Sequence, residues 1–353
     1  MLLRAMKVGI LLSGQNKSHT SKPAATTDAA LARATMPNAI NPSPTSLCRS
    51  TLAGCTNIGV CSRDQLYQLI YKISQAADTL YRDFPWRNTT DPYAIWISEV
   101  MLQQTQTARV ALRWQEWLEQ FPTVDVLAQA QTADVLRAWQ GMGYNRRALH
   151  VLKTAQIISA HGGVFPQTPA ELVQLPGIGA ATAAGICAFA WNRHCAYLET
   201  NVRSVLLHEL FPHEDQVSDR ELITFVDALC PDDAPRTSRE LHTPRMWNYA
   251  LLDYGVWLKQ HVSNPSRRSR SYTKQSKFEG SHRQKRAALV RILLDSCAAN
   301  DSHAMTTARA CELLCDEEVR AGRSPVSEDY VEQLLCELRA QDFCTFCDGS
   351  WQV

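Results

Sequence analysis

A chain of 353 residues, 45% hydrophobic and 20% charged, is long enough for more than one domain and has the balance of a folded globular protein. Its formal charge of +1 excludes a polycation that holds nucleic acid by bulk charge, and its 12 scattered cysteines exclude a small disulfide scaffold, so reduced thiols in a cytosol-like compartment are expected. No apolar run is long enough to span a membrane, and the short apolar stretch from Met1 to Leu12 has no cleavage site behind it, which argues against a signal peptide.

Residues 1–62 are rich in Ala, Thr, Ser, Pro and Asn and lack periodicity. They read as a disordered extension, or as sequence added by an upstream start. Cys48, Cys55 and Cys61 match no common metal spacing, and no His or fourth Cys completes a site. From Asp64 onward apolar residues recur at helical spacing, first as Leu66, Leu69, Ile70 and Ile73. Pro85-Trp86-Arg87 breaks that helix and Asp91-Pro92 opens the next. One continuous helix is predicted from Tyr93 to Glu119, with Ile95, Val100 and Leu102 inward and Phe121-Pro122 as its end. Further helices are predicted over Thr123 to Trp139, Arg146 to His161 and Thr168 to Leu175, then from about Val202 to Leu210, Ser218 to Leu229 and Pro244 to Leu258. β-branched alternation is missing throughout, so residues 63–258 are predicted to form an all-α domain.

From Lys259 to Arg286 basic residues greatly outnumber acidic ones, with Tyr272 and Phe278 interleaved. Residues 259–280 thus read as a strip that tracks phosphates. Residues 281–353 look different: helices over Arg283 to Cys297 and Thr306 to Cys315, and a third that begins at Ser324 to Val331 and runs through Leu338. Phe343 to Val353 alternates around Asp348-Gly349 and predicts a β-hairpin. Three helices and a hairpin suggest a small winged-helix-like α+β domain. Cys344-x-x-Cys347 has no evident partner pair and is read as packing.

The chain is organised around Leu175-Pro-Gly-Ile-Gly-Ala180. It lies between an apolar helical segment, Leu149 to Ala160, and a helix of small residues, Thr182 to Phe189, and the link is too short for a strand. Gly177 and Gly179 allow a tight hairpin, whose backbone N–H groups, with that of Ala180, face outward beside a helix N-terminus and suit a phosphate.

About twenty residues on comes Tyr197-Leu-Glu-Thr-Asn-Val-Arg203. A helix-hairpin-helix followed at this distance by a carboxylate and an Asn resembles the helix-hairpin-helix DNA glycosylases, the superfamily of endonuclease III. Pro85-Trp-Arg87, Trp96-Ile-Ser-Glu-Val-Met-Leu-Gln-Gln-Thr-Gln106 and Trp139-Gln-Gly-Met-Gly-Tyr144 are similar to the adenine glycosylase (MutY-type) branch. The resemblance runs from about Phe84 to Gly255 and rests on several motifs in order.

Excision of a base passes through an oxocarbenium-like sugar and calls for an acid at the leaving base and a carboxylate at the sugar. Glu99, in an apolar helical stretch, is expected to be desolvated and so protonated near neutral pH. The resemblance makes it the acid. It makes Glu199, where the family has Asp in Asp-Gly-Asn-Val-Lys, the sugar-stabilising carboxylate, one methylene longer, with Asn201 orienting it. Gln104 and Tyr144 match residues that wedge into the duplex, and Trp86, Arg87 and Thr107 match pocket positions around the flipped base. Ala181 stands where strand-nicking relatives place a Schiff-base Lys, which implies a monofunctional enzyme.

Many relatives hold an iron–sulfur cluster by four Cys after Asp-x-Gly. Asp253-Tyr-Gly255 is present, but the ligand positions fall on Lys259, Ser266, Ser269 and Gln275, so no cluster and no other metal or cofactor is expected. Arg267, Arg268 and Arg270 are expected to contact phosphate in its place. The partners implied are double-stranded DNA with a mismatch, most simply adenine opposite G or 8-oxoguanine, and enzymes that process the abasic product. No membrane partner is implied, and a cytoplasmic, nucleoid-associated monomer is expected. The same skeleton also suits excision of thymine or hypoxanthine, or a non-catalytic binder of distorted duplex.

Overall fold

The computed structural model describes residues 61–298 and 305–353. Cys48, Cys55 and the rest of the extension through residue 60 lie outside the described residues. Ser62 is the N-cap of α1 (Arg63–Thr79) and closes a capping box with Gln65. Leu66, Leu69, Ile70, Ile73 and Ala76 form the buried face of α1.

A 3₁₀ turn, Pro85–Asn88, leads to α2 (Pro92–Leu102). Asp91 caps α2 by accepting from the N–H groups of Tyr93 and Ala94, with Pro92 in the first turn. Every residue from Tyr93 to Met101 is buried, so α2 is the central helix. The single helix predicted from Tyr93 to Glu119 is in fact two. A turn through Gln103–Gln106, with Gln104 at φ +56°, separates α2 from α3 (Thr107–Gln120). The helix predicted over Thr123 to Trp139 likewise divides into α4 (Val124–Ala128) and α5 (Thr132–Ala138), each with its own N-cap residue, Thr123 and Gln131.

α6 (Arg146–Ala160) is followed by the short α7 (Pro169–Leu172), which is capped by Thr168 and Glu171. The helix before the hairpin is therefore α7, not the Leu149–Ala160 segment. After the hairpin comes α8 (Ala180–Trp191), whose Ala, Gly, Thr and Cys side chains let it pack closely on α2, with every residue from Thr182 to Ala190 buried. Asn192 ends α8 in the left-handed conformation. Its amide donates to the Pro235 and Ser238 carbonyls, and its Oδ1 accepts from the Arg245 N–H.

α9 (Thr200–Glu209), α10 (Asp219–Leu229) and α11 (Pro244–His261) complete the helical domain. α11 packs across both α1 and α9. At Gly255 a Cβ would collide with the Asn201 carbonyl, so the glycine lets the two backbones meet.

A 3₁₀ turn, Pro265–Arg268, and an extended strip lead to α12 (His282–Ala298), α13 (Thr307–Arg320) and α14 (Glu328–Arg339). The chain closes with β1 (Thr345–Cys347) and β2 (Ser350–Gln352), paired antiparallel with Phe346 opposite Trp351. Asp348 and Gly349, both at positive φ, make the two-residue turn. Met305, just before α13, bridges to Trp351. Cys344 is buried and its thiol donates to the Leu335 carbonyl, whereas Cys347 is exposed, so the two do not converge. α12 packs on α5, and Lys153 meets Asp342 at 2.6 Å, which joins this C-terminal unit to the helical domain.

Candidate active site

The hairpin between α7 and α8 sets one edge of the site. Gly177 has φ +75°, and a Cβ there would lie 2.7 Å from the Cβ of His150. Both facts demand glycine. Gly179 has an ordinary φ of −88° and nothing within contact range of an added Cβ, so the turn itself does not require glycine there. Gly179 is the N-cap of α8 without a side-chain cap, and Gly179 and Ala180 are exposed. The first N–H groups of α8 thus face solvent at the positive end of a twelve-residue helix, an arrangement suited to phosphate.

Behind the hairpin, α2 and α8 hold Glu99. It is buried, and a Cβ on Gly185 would collide with its Oε2, so the glycine opens the space that the carboxyl fills. The Tyr197 hydroxyl donates to Oε2 at 3.2 Å. Phe189 stands edge-on to Tyr197 and stacks on Tyr249 at 4.5 Å, completing an aromatic wall. Burial pushes the Glu99 pKa up to about 8. The Tyr197 hydrogen bond and Arg87 pull it down, and Glu199 pushes it further up. Glu99 therefore carries its proton at neutral pH.

Glu199 is the N-cap of α9. Its Oε1 accepts from the backbone N–H of Asn201 at 2.6 Å and of Val202 at 3.3 Å. Burial raises its pKa, and these two N–H groups and Lys259 oppose that rise. The longer Glu thus folds back on its own helix start instead of extending. Asn201 acts on Glu199 largely through its backbone N–H, while its side-chain Oδ1 accepts from Lys259 Nζ at 2.8 Å.

The expected wedge residues lie on two adjacent turns. Gln104 and Tyr144 are both exposed and both at positive φ, +56° and +50°. Arg147, which sequence reading missed, binds the turns together. Its guanidinium donates to the carbonyls of Val100, Met101 and Gln103 on one side and of Met142 and Gly143 on the other. It also stacks near Trp139 and Tyr144. Gln103 Nε2 donates to Thr182 Oγ1 at 3.0 Å, tying the first turn to the hairpin helix. Thr107 opens α3 just beyond.

Residues 97–238 match the family described as HhH-GPD superfamily base excision DNA repair protein. The adenine DNA glycosylase of Mycobacterium tuberculosis is 36% identical over 234 residues, which cover 60% of this chain and 74% of the relative. The chain belongs to the adenine DNA glycosylase family. That of Buchnera aphidicola (subsp. Baizongia pistaciae) is 39% identical over 177 residues, 50% of this chain and 48% of the relative. The human adenine DNA glycosylase is 37% identical over 135 residues, 35% of this chain and 25% of the relative.

Within this adenine glycosylase fold, two of the expected pocket residues are in the core. Trp86 is buried, stacked on Phe84 at 4.8 Å and edge-on to Trp114. Arg87 is buried too and forms a bidentate pair with Asp253 at 2.7 and 2.9 Å, under the face of Tyr249 at 4.3 Å. Trp86 and Arg87 brace the 3₁₀ turn against α11, and Arg87 acts on Glu99 only electrostatically.

The basic strip also needs one correction. Arg267 and Arg270 are exposed, as phosphate contacts must be. Arg268 instead donates to the carbonyls of Leu207, Phe211 and Glu214, closing the C-terminal end of α9. At the cluster positions of the family, Ser266 and Ser269 are buried hydroxyls, and Gln275 donates to Gln104 Oε1 and to the Tyr144 hydroxyl. With Lys259 bonded to Asn201, this set of an ammonium, two hydroxyls and an amide does not fit an iron–sulfur cluster, which takes thiolates.

Proposed function

We propose that this chain is a monofunctional DNA glycosylase that removes a mispaired adenine from duplex DNA, without an iron–sulfur cluster. The observation that carries this reading is the pair of unlike carboxyl groups at one site: Glu99 buried and protonated, Glu199 held by two backbone N–H groups. Burial raises the pKa of both, to about 8 at Glu99, while the N–H groups and Lys259 oppose the rise at Glu199, and two carboxyl groups in unlike surroundings are what acid-assisted glycosidic cleavage uses.

The duplex is held at the hairpin, where the N–H groups around Gly177, Gly179 and Ala180 take a phosphate. Tyr144 and Gln104 enter the space left when the adenine turns out. Glu99 gives its proton to a ring nitrogen of the base, so that the base leaves neutral. Glu199 lies against the positive charge that develops at the sugar as the C1′–N bond breaks; water then forms the C1′–O bond and gives up a proton, which restores the carboxyl group of Glu99. The position that carries a Schiff-base Lys in strand-nicking enzymes is Ala181, so the product is an intact abasic strand, passed to enzymes that process such sites. Among the described residues no helix is long and apolar enough to cross a membrane.

The test is single-turnover cleavage, developed with alkali, of duplexes with adenine opposite 8-oxoguanine, adenine opposite G, thymine opposite G and hypoxanthine opposite T. Breaks at adenine that need alkali and vanish in Glu99→Gln are the expected result. Breaks only at thymine or hypoxanthine would keep the mechanism and change the substrate. Tight binding without any break would mean a non-catalytic binder.

A further inference from the structure

Lys259 lies in the last turn of α11, at the position where cluster-bearing relatives have their first cysteine. It is half-buried, and its Nζ donates to Asn201 Oδ1 at 2.8 Å. Asn201 in turn donates its backbone N–H to Glu199 Oε1 at 2.6 Å. The approach is built into the fold, since Gly255, one helical turn before Lys259, has no side chain to keep α11 off the Asn201 carbonyl. An ammonium, an amide and a carboxylate thus follow one another across the junction of α9 and α11.

We infer that Lys259 is a positioning residue for the sugar-stabilising carboxylate: it closes the Glu199–Asn201 turn and sets a positive charge beside Glu199. The inference rests on the role proposed for Glu199 above. A carboxylate can stabilise a cationic sugar only while it is charged, and burial opposes that charge. The ionisable groups around the pair divide clearly. Glu99 carries its proton and adds little negative charge. Arg203 also bears on Lys259, but its guanidinium is taken up by Asp219 at 2.8 and 2.9 Å. Lys259 is the cation whose charge reaches Glu199, and Glu199 in turn supports the charge on Lys259 against the effect of its burial.

The experiment is a carboxyl ¹³C titration of Glu-labelled protein, with the Glu199 resonance assigned by its loss in Glu199→Gln, run on wild type, Lys259→Met and Lys259→Arg. Lys259→Met keeps the aliphatic stem, and Lys259→Arg keeps the charge if the shorter variant does not fold. The Glu199 midpoint is expected to rise by about one pH unit in Lys259→Met and to stay near wild type in Lys259→Arg. The acid limb of single-turnover excision should move up with it, at unchanged duplex affinity. A Glu199 midpoint that does not move in Lys259→Met, or an excision rate lowered equally at every pH, would overturn the inference. A midpoint that moves in a protein that excises nothing would uphold the electrostatic link and defeat the glycosylase reading instead.

Discussion

The Tyr197 hydroxyl donates a hydrogen bond to Oε2 of Glu99 at 3.2 Å, inside the space that Gly185 leaves open. The bond fixes one carboxyl oxygen and draws the Glu99 pKa downward against the effect of burial. Tyr197→Phe keeps the ring packing on Phe189 and removes only the bond. Since excision needs the protonated acid, its rate in wild type is expected to fall as pH rises through about 8. In Tyr197→Phe that basic limb should move to higher pH, while the rate on the plateau drops about tenfold because the acid is less well aimed. A basic limb that stays in place would show that the hydroxyl does not act on Glu99.

Glu99 also carries a stability cost with a definite pH signature. Its folded pKa, about 8, lies above the ordinary value of 4.5, so between those limits the folded state binds more protons than the unfolded one. Stability from this group is complete below pH 4.5 and is lost as pH rises to about 8. Glu99→Gln, neutral at every pH, should therefore be more stable than wild type at pH 8.5, by something on the order of 3–5 kcal/mol, with the difference shrinking toward pH 5. Thermal melts of the two proteins across that range check it. Equal melting temperatures at pH 8.5 would mean that Glu99 is not strained by burial.

The helical periodicity around Leu66, Leu69, Ile70 and Ile73 was legible because burial against one neighbour dictates it locally, and so was the Asp348-Gly349 turn, which its two residues determine. The break at Gln103–Gln106 was not legible. The segment contains no Gly or Pro, and the turn is held by Arg147, more than forty residues away. The same distance in sequence hid the fate of Arg87, whose partner is Asp253, and of Arg268, which closes α9. Glu99 and Glu199 could be picked out from their motifs. The fold-back of Glu199 onto its own helix was not read, although it is a local N-cap bond, because the motif points to the carboxylate's role at the sugar and not to its partners.

Arg147 serves two turns that carry the candidate wedge. It donates to five backbone carbonyls, from Val100, Met101, Gln103, Met142 and Gly143. An ammonium has three donors on a flexible stem and cannot reproduce that fork. Arg147→Lys is expected to cost about 2–4 kcal/mol through carbonyls left without donors. At a temperature where the variant is still folded, excision should fall at least tenfold by loss of productive duplex binding, with the basic limb of the pH profile unmoved because Glu99 is untouched. A variant that melts with the wild type and excises at the wild-type rate would show that the turns hold themselves.

The two hairpin glycines should separate stability from binding. Gly177→Ala forces a left-handed conformation on alanine and drives a methyl into His150, so about 1–3 kcal/mol of stability should be lost. Gly179→Ala meets open space at φ −88°, so stability should change by less than about 0.5 kcal/mol. The added methyl would nevertheless stand at the start of α8, where a phosphate must come close to the N–H groups. Duplex affinity in Gly179→Ala is therefore expected to fall about tenfold, with weaker dependence on salt as one phosphate contact is lost. Thermal melts and binding isotherms at two salt concentrations measure both effects. If Gly179→Ala binds as tightly as wild type, the start of α8 does not hold a phosphate, and the hairpin serves only to place α8 behind Glu99.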